Sequence, residues 1–264
     1  MSDVIEVSEM STVKSAGHVV HRSDDDLNGT SPASQIDWRE QLFNQGAQGP
    51  AKIVQLPSEA ITEVNGVLFD LDPDLLRPEV VTEEVISRPD LFFETVVRPW
   101  LDRHPLLRCA EVRNSGRGLH VIPRFAPAIQ IQTDAERRRL AGIVQTVQRA
   151  LPCDPNAPGL TALTRPVGSI NGKVGRPVVL LKQGTPTSLE QLLDLYARLR
   201  DHPFRTVQEI LFGTERVHPC PLCKELGSSL GALDRVGRCY PTCGKVGLAQ
   251  LYDLFLKPAP SATE

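Results

Sequence analysis

The chain has 264 residues, 41% of them hydrophobic, enough to bury a substantial core in one large domain or two small ones. No apolar run approaches the roughly 18–20 residues of a membrane span, and the N-terminal residues lack the basic-then-apolar pattern of an export signal. Together with a charged fraction of 23%, this excludes integral membrane, fibrous and wholly disordered classes. The net charge of −3 conceals an asymmetry. Residues 1–97 carry six basic and eighteen acidic side chains, whereas residues 98–257 carry twenty-three basic and thirteen acidic ones. Within 98–149 all ten basic residues are arginine, a bias that suits bidentate phosphate recognition, although Arg137, Arg138 and Arg139 read as a solvated helix face. Six cysteines without an export signal read as reduced thiols or metal ligands, and the compartment expected is the cytoplasm.

In chain order, residues 1–34 are polar and aperiodic and read as a disordered acidic tail, IDWREQLFN as a short helix and QGAQGPAK as a linker. VNGVLFDLD is an apolar run ending in acids, expected to be a buried strand with carboxylates at its C-terminal end. TEEVISRPDLFFETVVRPWL is expected to be helical, interrupted at Pro89 and Pro99. LLRCAEV and GLHVIPRF read as strands joined by the turn RNSGRG, with Cys109 a buried strand residue. A long helix follows, capped by Asp134, with Leu140, Val144, Val147 and Leu151 on one face. RPVVLLK reads as a strand and SLEQLLDLYARLR as an amphipathic helix capped by Ser188. The block 213–257 bears cysteines and ends in the helical GLAQLYDLFL. Strands and helices in mixed order argue for an α+β fold.

Three clusters carry chemistry. Asp70 and Asp72 in LFDLDPD lie at i and i+2 of a strand, so both carboxylates face one side, and their repulsion invites a divalent cation. An EF-hand loop starting at Asp70 would need Gly and Glu where Leu75 and Val81 stand. A dehalogenase-type phosphatase would have Gly-Thr after D-x-D, where this chain has Pro73 and Asp74; a pair of solvated turn aspartates is the bland alternative. In the loop Asn114–His120, Gly116 and Gly118 free the backbone to approach a ligand, while Ser115, Arg117 and His120 offer donors to phosphate. An ordinary glycine-rich hairpin is the competing reading. Asp154 then precedes a Pro- and Gly-punctuated stretch, Arg165 to Lys173, rich in polar donors, which otherwise reads as a surface turn.

In that order the D-x-D strand, the Ser-Gly-Arg-Gly-Leu-His loop, the lone Asp and R-P-x-G-S-x-N-x-K resemble the catalytic core of the archaeo-eukaryotic primase superfamily. The plasmid- and phage-type primase-polymerases are the nearest in pattern. The matching stretch runs from about residue 64 to 182. The resemblance implies a nucleotidyltransferase on an RNA-recognition-motif-like sheet. It implies that Asp70, Asp72 and Asp154 hold two Mg²⁺ or Mn²⁺ ions, and that Ser115, Arg117 and His120 bind the incoming triphosphate. Arg165 and Lys173 would contact triphosphate or template, with Ser169 and Asn171 shaping their loop. Family members usually carry a substantial α/β unit before the D-x-D strand, and here that part reads as abbreviated or divergent.

Cys220, Cys223, Cys239 and Cys243 form a C-x2-C-x15-C-x3-C pattern that suits one structural Zn²⁺, with His218 a substitute ligand. Four buried thiols or a disulfide pair are the alternatives. A zinc ribbon beside such a core resembles accessory modules that grip template or initiating nucleotide, and a purely structural or protein-docking role is the alternative. Trp38 and Trp100 read as core anchors, and His18, His21, His104 and His202 carry no functional expectation.

The organisation expected is a mostly disordered tail over 1–48, a catalytic core over 49–184, a helical connector over 185–212, a zinc-binding module over 213–257 and a tail over 258–264. Its expected work is primer synthesis on single-stranded DNA from nucleoside triphosphates in replication of a plasmid, phage or similar element. No P-loop is present, so unwinding would fall to a separate helicase or replication initiator. A non-catalytic nucleic-acid-binding protein and a metal-dependent phosphohydrolase are the competing readings.

Overall fold

A computed structural model describes residues 18–21, 52–55, 61–154, 157, 159–161 and 164–258. Trp38, the expected helix IDWREQLFN and most of the acidic tail and linker lie outside these residues. Within that stretch, strand β1 (His18–His21) pairs antiparallel with β2 (Lys52–Gln55).

The apolar run VNGVLFDLD does not form one strand. It divides into β3 (Glu63–Gly66) and β4 (Phe69–Leu71), which pair with different partners. Gly66 marks the break, since a Cβ there would lie 3.0 Å from the Pro123 carbonyl. The next apolar segment is helical but divided. Helix α1 (Glu83–Ser87) is capped by Thr82, and Pro89 opens α2 (Pro89–Phe92). A π-turn over Phe93–Val97 leads without a break into α3 (Arg98–Asp102), so the helical hydrogen-bond register changes just before Pro99, which has no N–H to donate. LLRC is likewise helical, not extended. His104 caps α4 (Pro105–Arg108), and Cys109 sits at its C-terminal end, half-buried.

The hairpin β5 (Glu111–Asn114) and β6 (Leu119–Ile122) leads into β7 (Arg124–Gln130), which pairs with β3. Helix α5 (Asp134–Gln148) starts one residue earlier than expected. Thr133, not Asp134, is its cap, in a reciprocal capping box with Glu136. Leu140, Val144 and Val147 are buried as the spacing predicts. After the short hairpin β8 (Ile170–Asn171) and β9 (Arg176–Pro177) comes β10 (Val179–Lys182).

The central sheet is antiparallel throughout, in the order β10-β5-β6-β4. It follows that β4 and β5 run parallel with β6 between them, and β6 and β10 run parallel with β5 between them. These are two split β-α-β units, so the fold is α+β. Phe69, Leu71, Val112, Leu119 and Val121 line one face and are wholly buried. The other face carries Asp70, His120 and Arg113, which are register partners in a single row.

Helices α6 (Leu189–Asp201, capped by Ser188) and α7 (Pro203–Phe212) connect to a second antiparallel sheet. Its strands β11 (Arg216–Val217), β12 (Ser229–Ala232), β13 (Gly237–Tyr240) and β14 (Gly244–Val246) form a meander closed by α8 (Leu248–Tyr252). One hydrophobic core runs from the central sheet through α6 and α7 to Leu230, Val246, Leu251 and Phe255. Trp100 is a core anchor, stacked edge-on against Phe255 at 5.6 Å. The chain then returns to the acidic turn: Arg77 N donates to Phe255 O at 2.7 Å and Lys257 N to Leu75 O at 2.8 Å. Because Phe255 joins Trp100 and Phe212 to this return, Phe255→Ala is expected to destabilise the fold by about 3 kcal/mol. Chemical denaturation of the purified variant measures the loss.

Candidate active site

Asp70 occupies the middle of β4, on the face opposite the core. Two residues on, extended backbone brings Asp72 to the same side, where it caps a 3₁₀ turn over Pro73–Leu75 by accepting from Asp74 N at 2.9 Å. Asp154, eighty-four residues along the chain, is held there by its own backbone, whose N–H donates to Asp70 O at 2.9 Å. Burial first, then the charges of Asp72 and Asp154, raise the Asp70 carboxyl to about 6 against the opposing pull of Arg165 and Lys173. Five of the residues singled out by sequence therefore share one electrostatic neighbourhood.

The glycine-bracketed loop lies directly on the acidic strand. A Cβ on Gly118 would stand 2.6 Å from Leu71 O and 3.3 Å from Asp72 Cα, so only glycine permits this approach. Gly116, at φ +101°, presses against Asn171 and Val174. Ser115 is buried and spends its hydroxyl on Gly118 O at 3.1 Å, so it shapes the loop. Arg117 is exposed and forms an ion pair with Asp74.

His120 is buried between Asp70 and Arg113 in the register row. Its Nδ1 lies 3.0 Å from Thr164 Oγ1. Burial, then the Arg165 and Arg113 guanidiniums, lowers its pKa to about 3, so the ring is neutral at physiological pH. A neutral ring can still donate one N–H, but it brings no positive charge to a phosphate.

The segment 164–178 folds over this row. Arg113 Nη1 donates to Arg165 O at 2.7 Å, and Asn171 Nδ2 to Ser115 O at 2.6 Å. Ser169, fully buried, donates to Pro166 O at 2.7 Å, and Asn171 Oδ1 accepts from Lys173 N at 3.0 Å. Ser169 and Asn171 thus hold the loop, while Arg165 and Lys173 present the charge. Sequence reading missed Arg113, Thr164 and Asp74, which orient Arg165, His120 and Arg117. The alternation of β5 marks Arg113 as sharing Asp70's face, but nothing local in the sequence signals Thr164. Cys153 is buried beside Asp70 and Asp154, and that burial pushes its thiol well above the ordinary range. It is inert packing.

Cys220, Cys223, Cys239 and Cys243 converge, all four sulfurs within 4.8 Å of one another, and His218 is not among them. Tetrahedral zinc at about 2.3 Å from each sulfur sets neighbouring sulfurs about 3.8 Å apart. The Cys223 and Cys239 sulfurs are 3.8 Å apart. The Ser228 hydroxyl fixes the first knuckle, accepting from Cys220 N at 3.1 Å and donating to Glu225 O at 2.6 Å. The quartet fits zinc. Among the described residues it is the one group of three or more candidate ligands gathered so closely; the three carboxylates are not gathered to that degree. Their chemistry nonetheless fits a hard divalent cation, since they are oxygen donors whose mutual repulsion such an ion would relieve.

No family model and no curated protein matches the chain. Among solved structures, it is similar to the AEP domain of the cyanophage S-2L primase-polymerase at 16% identity and a TM-score of 0.38. That match covers 71% of this chain and 92% of the other.

Two outcomes follow. An acid whose folded pKa exceeds its unfolded value weakens the fold as pH rises, here from about 4 to about 6. Without added divalent cation, Asp70→Asn is therefore expected to gain about 2–3 kcal/mol over wild type at pH 8 and to lose that advantage near pH 4. Denaturant titrations at the two pH values measure both. Elemental analysis is expected to find one zinc per chain, and Cys239→Ser to lose it together with the melting transition of the 213–257 block.

Proposed function

We propose that the chain is a primase-type nucleotidyltransferase, joining nucleoside triphosphates on a single-stranded DNA template on an RNA-recognition-motif-like sheet. The observation that carries this reading is a carboxylate cluster facing cations within one site. Asp70, Asp72 and Asp154 share a pole with Arg165 and Lys173, and the close-packed Gly118 loop forms its wall. Acids that attract a divalent ion, set beside cations that attract a polyphosphate, are what phosphoryl transfer without a covalent nucleophile requires.

In this reading the three aspartates would hold two Mg²⁺ or Mn²⁺ ions, which when bound neutralise phosphate charge and activate the attacking hydroxyl. Arg165, its main chain fixed by Arg113, aims its guanidinium at the polyphosphate, and the exposed Lys173 adds a second charge. Arg117 exchanges Asp74 for phosphate when nucleotide enters. His120, kept neutral, donates a hydrogen bond and lines the site without adding a positive charge that would compete with metal ions for the carboxylates. Ser115, Ser169 and Asn171 set the loops rather than touch the substrate. The enzyme would act in the cytoplasm in replication of a plasmid, phage or similar element, with a separate helicase or initiator opening the duplex.

A non-catalytic nucleic-acid binder is the second reading. It leaves unexplained why a half-buried carboxylate is kept at a folding cost beside two others, since a polyanion gains nothing from them. A phosphohydrolase at Asp70 and Asp72 would release phosphate without template.

Incorporation of labelled nucleotides on primer-free single-stranded DNA with Mg²⁺ or Mn²⁺ tests the proposal. Wild type is expected to give template-dependent products, and Asp72→Ala or Asp154→Ala to reduce them by at least 10³-fold, the order expected when phosphate charge goes uncompensated. Full activity in either variant would remove the acidic cluster from the chemistry.

A further inference from the structure

Beneath the basic loop two arginines share one carboxylate. Glu111 and Arg113 lie at i and i+2 of β5, on the face that carries Asp70, and Arg124 opens β7. The side chains of Glu111 and Arg113 are only 11% and 13% exposed. Arg113 Nε donates to Glu111 Oε1, and Arg124 Nη2 stands 3.5 Å from the same oxygen. Burial lowers the pKa of the Arg124 guanidinium, Glu111 raises it and Arg113 lowers it again. Glu111 is therefore what makes two neighbouring cations tolerable so far from water. Its main chain has no slack, since a Cβ on Gly184 would lie 2.6 Å from Glu111 N.

Arg113 has a second carboxylate partner within its span. It stands in one row with His120 and Asp70, two strands across the sheet, about 10 Å between main chains at ordinary strand spacing. An extended arginine crosses that gap over the neutral, buried His120 and meets the cluster of Asp70, Asp72 and Asp154. A guanidinium forked onto a carboxylate there would occupy the oxygens that a divalent cation needs. In the structure it is turned elsewhere. Its Nε is held by Glu111 on its own strand, and its Nη1 donates to Arg165 O at 2.7 Å.

We propose that Glu111 is a positioning residue that keeps Arg113 off the acidic cluster. By holding that guanidinium along β5 it leaves Asp70, Asp72 and Asp154 to a divalent cation, and it presents Arg113 to the Arg165 main chain in the same act. The inference rests on the reading of those three carboxylates as cation ligands. It assigns to Glu111 a role in cation affinity although Glu111 touches no cation.

The test is Mn²⁺ binding to the full chain without nucleotide, read from the electron paramagnetic resonance of the free ion, with the melting temperature of each variant as the folding check. Wild type is expected to bind Mn²⁺, and Asp72→Ala to lose that binding. Glu111→Gln is expected to weaken it about tenfold, because the ion must now displace an arginine–carboxylate pair. Arg113→Gln is expected to stay within about twofold of wild type, and Glu111→Gln with Arg113→Gln to return to that range, since no loose guanidinium remains beside Asp70. Damage of a purely structural kind would not be repaired by the second substitution. Wild-type affinity in a folded Glu111→Gln would overturn the proposal, and so would a double variant as weak as the single one. If Glu111→Gln alone does not fold, the double variant decides: weakened Mn²⁺ binding in it overturns the proposal. Absence of Asp72-dependent Mn²⁺ binding in wild type would instead remove the three carboxylates as ligands, and the proposal with them.

Discussion

The site is organised around a carboxylate that is expensive to keep. Asp70 is half-buried with two further carboxylates near it, and its pKa of about 6 reflects that burial first, then the repulsion of Asp72 and Asp154. A shift of some two units corresponds to about 3 kcal/mol, a sizeable fraction of a domain's whole stability. Such a group persists only if the surrounding fold over-determines it. Here the strand fixes Asp70, a 3₁₀ cap fixes Asp72, and one backbone hydrogen bond to the Asp70 carbonyl fixes Asp154. None of the three relies on a flexible side chain to reach the site.

The cations that answer this charge are held with equal economy of motion. Arg113 has its guanidinium committed to Glu111 and to the Arg165 carbonyl, so it acts on Arg165 from behind. Asn171 binds the Ser115 carbonyl and ties the basic loop to the glycine loop, which itself rests on Leu71 and Asp72. The basic and acidic elements therefore form one packed unit rather than three loops that meet by chance. The burial of His120 follows from the same packing. Once residues 164–178 cover the register row, an imidazole between two arginines has no water to support a positive charge.

Much of this was legible in the sequence, and what was missed has identifiable causes. The long helix, the Ser188 cap, the cysteine quartet and the Asp70–Asp72 pair follow from spacing and residue type, because each is a local pattern, whereas Asp154 was singled out only through the resemblance. The division of VNGVLFDLD into two strands was not legible, since it is imposed by β7 and β6 competing for its halves and by the closeness of Pro123 to Gly66. LLRC turned helical because Pro105 presets the first turn and His104 caps it, a signal that its apolar run concealed. Ser115 was expected on the triphosphate and instead spends its hydroxyl on Gly118 O, a difference hidden because donor-rich residues look alike in sequence. Only tertiary contacts separate those that face a ligand from those that hold a loop.

The zinc module bears on the acidic site through packing rather than proximity. Its sheet shares a core with α6 and α7, and the chain leaving α8 runs back along the acidic turn. Arg77 donates to both Phe255 O and Leu256 O, and Lys257 N to Leu75 O, so the turn after Asp72 is backed by the C-terminal segment. Leu76 and Leu256 complete an antiparallel bridge there. A short block of this size buries little apolar surface by itself, and a metal on the cysteine quartet would add to its order. A metal held by the quartet would thereby contribute to the support of Asp72 without contacting it. The same arrangement leaves the module's outer face open while its inner face packs on the core that leads to this C-terminal segment.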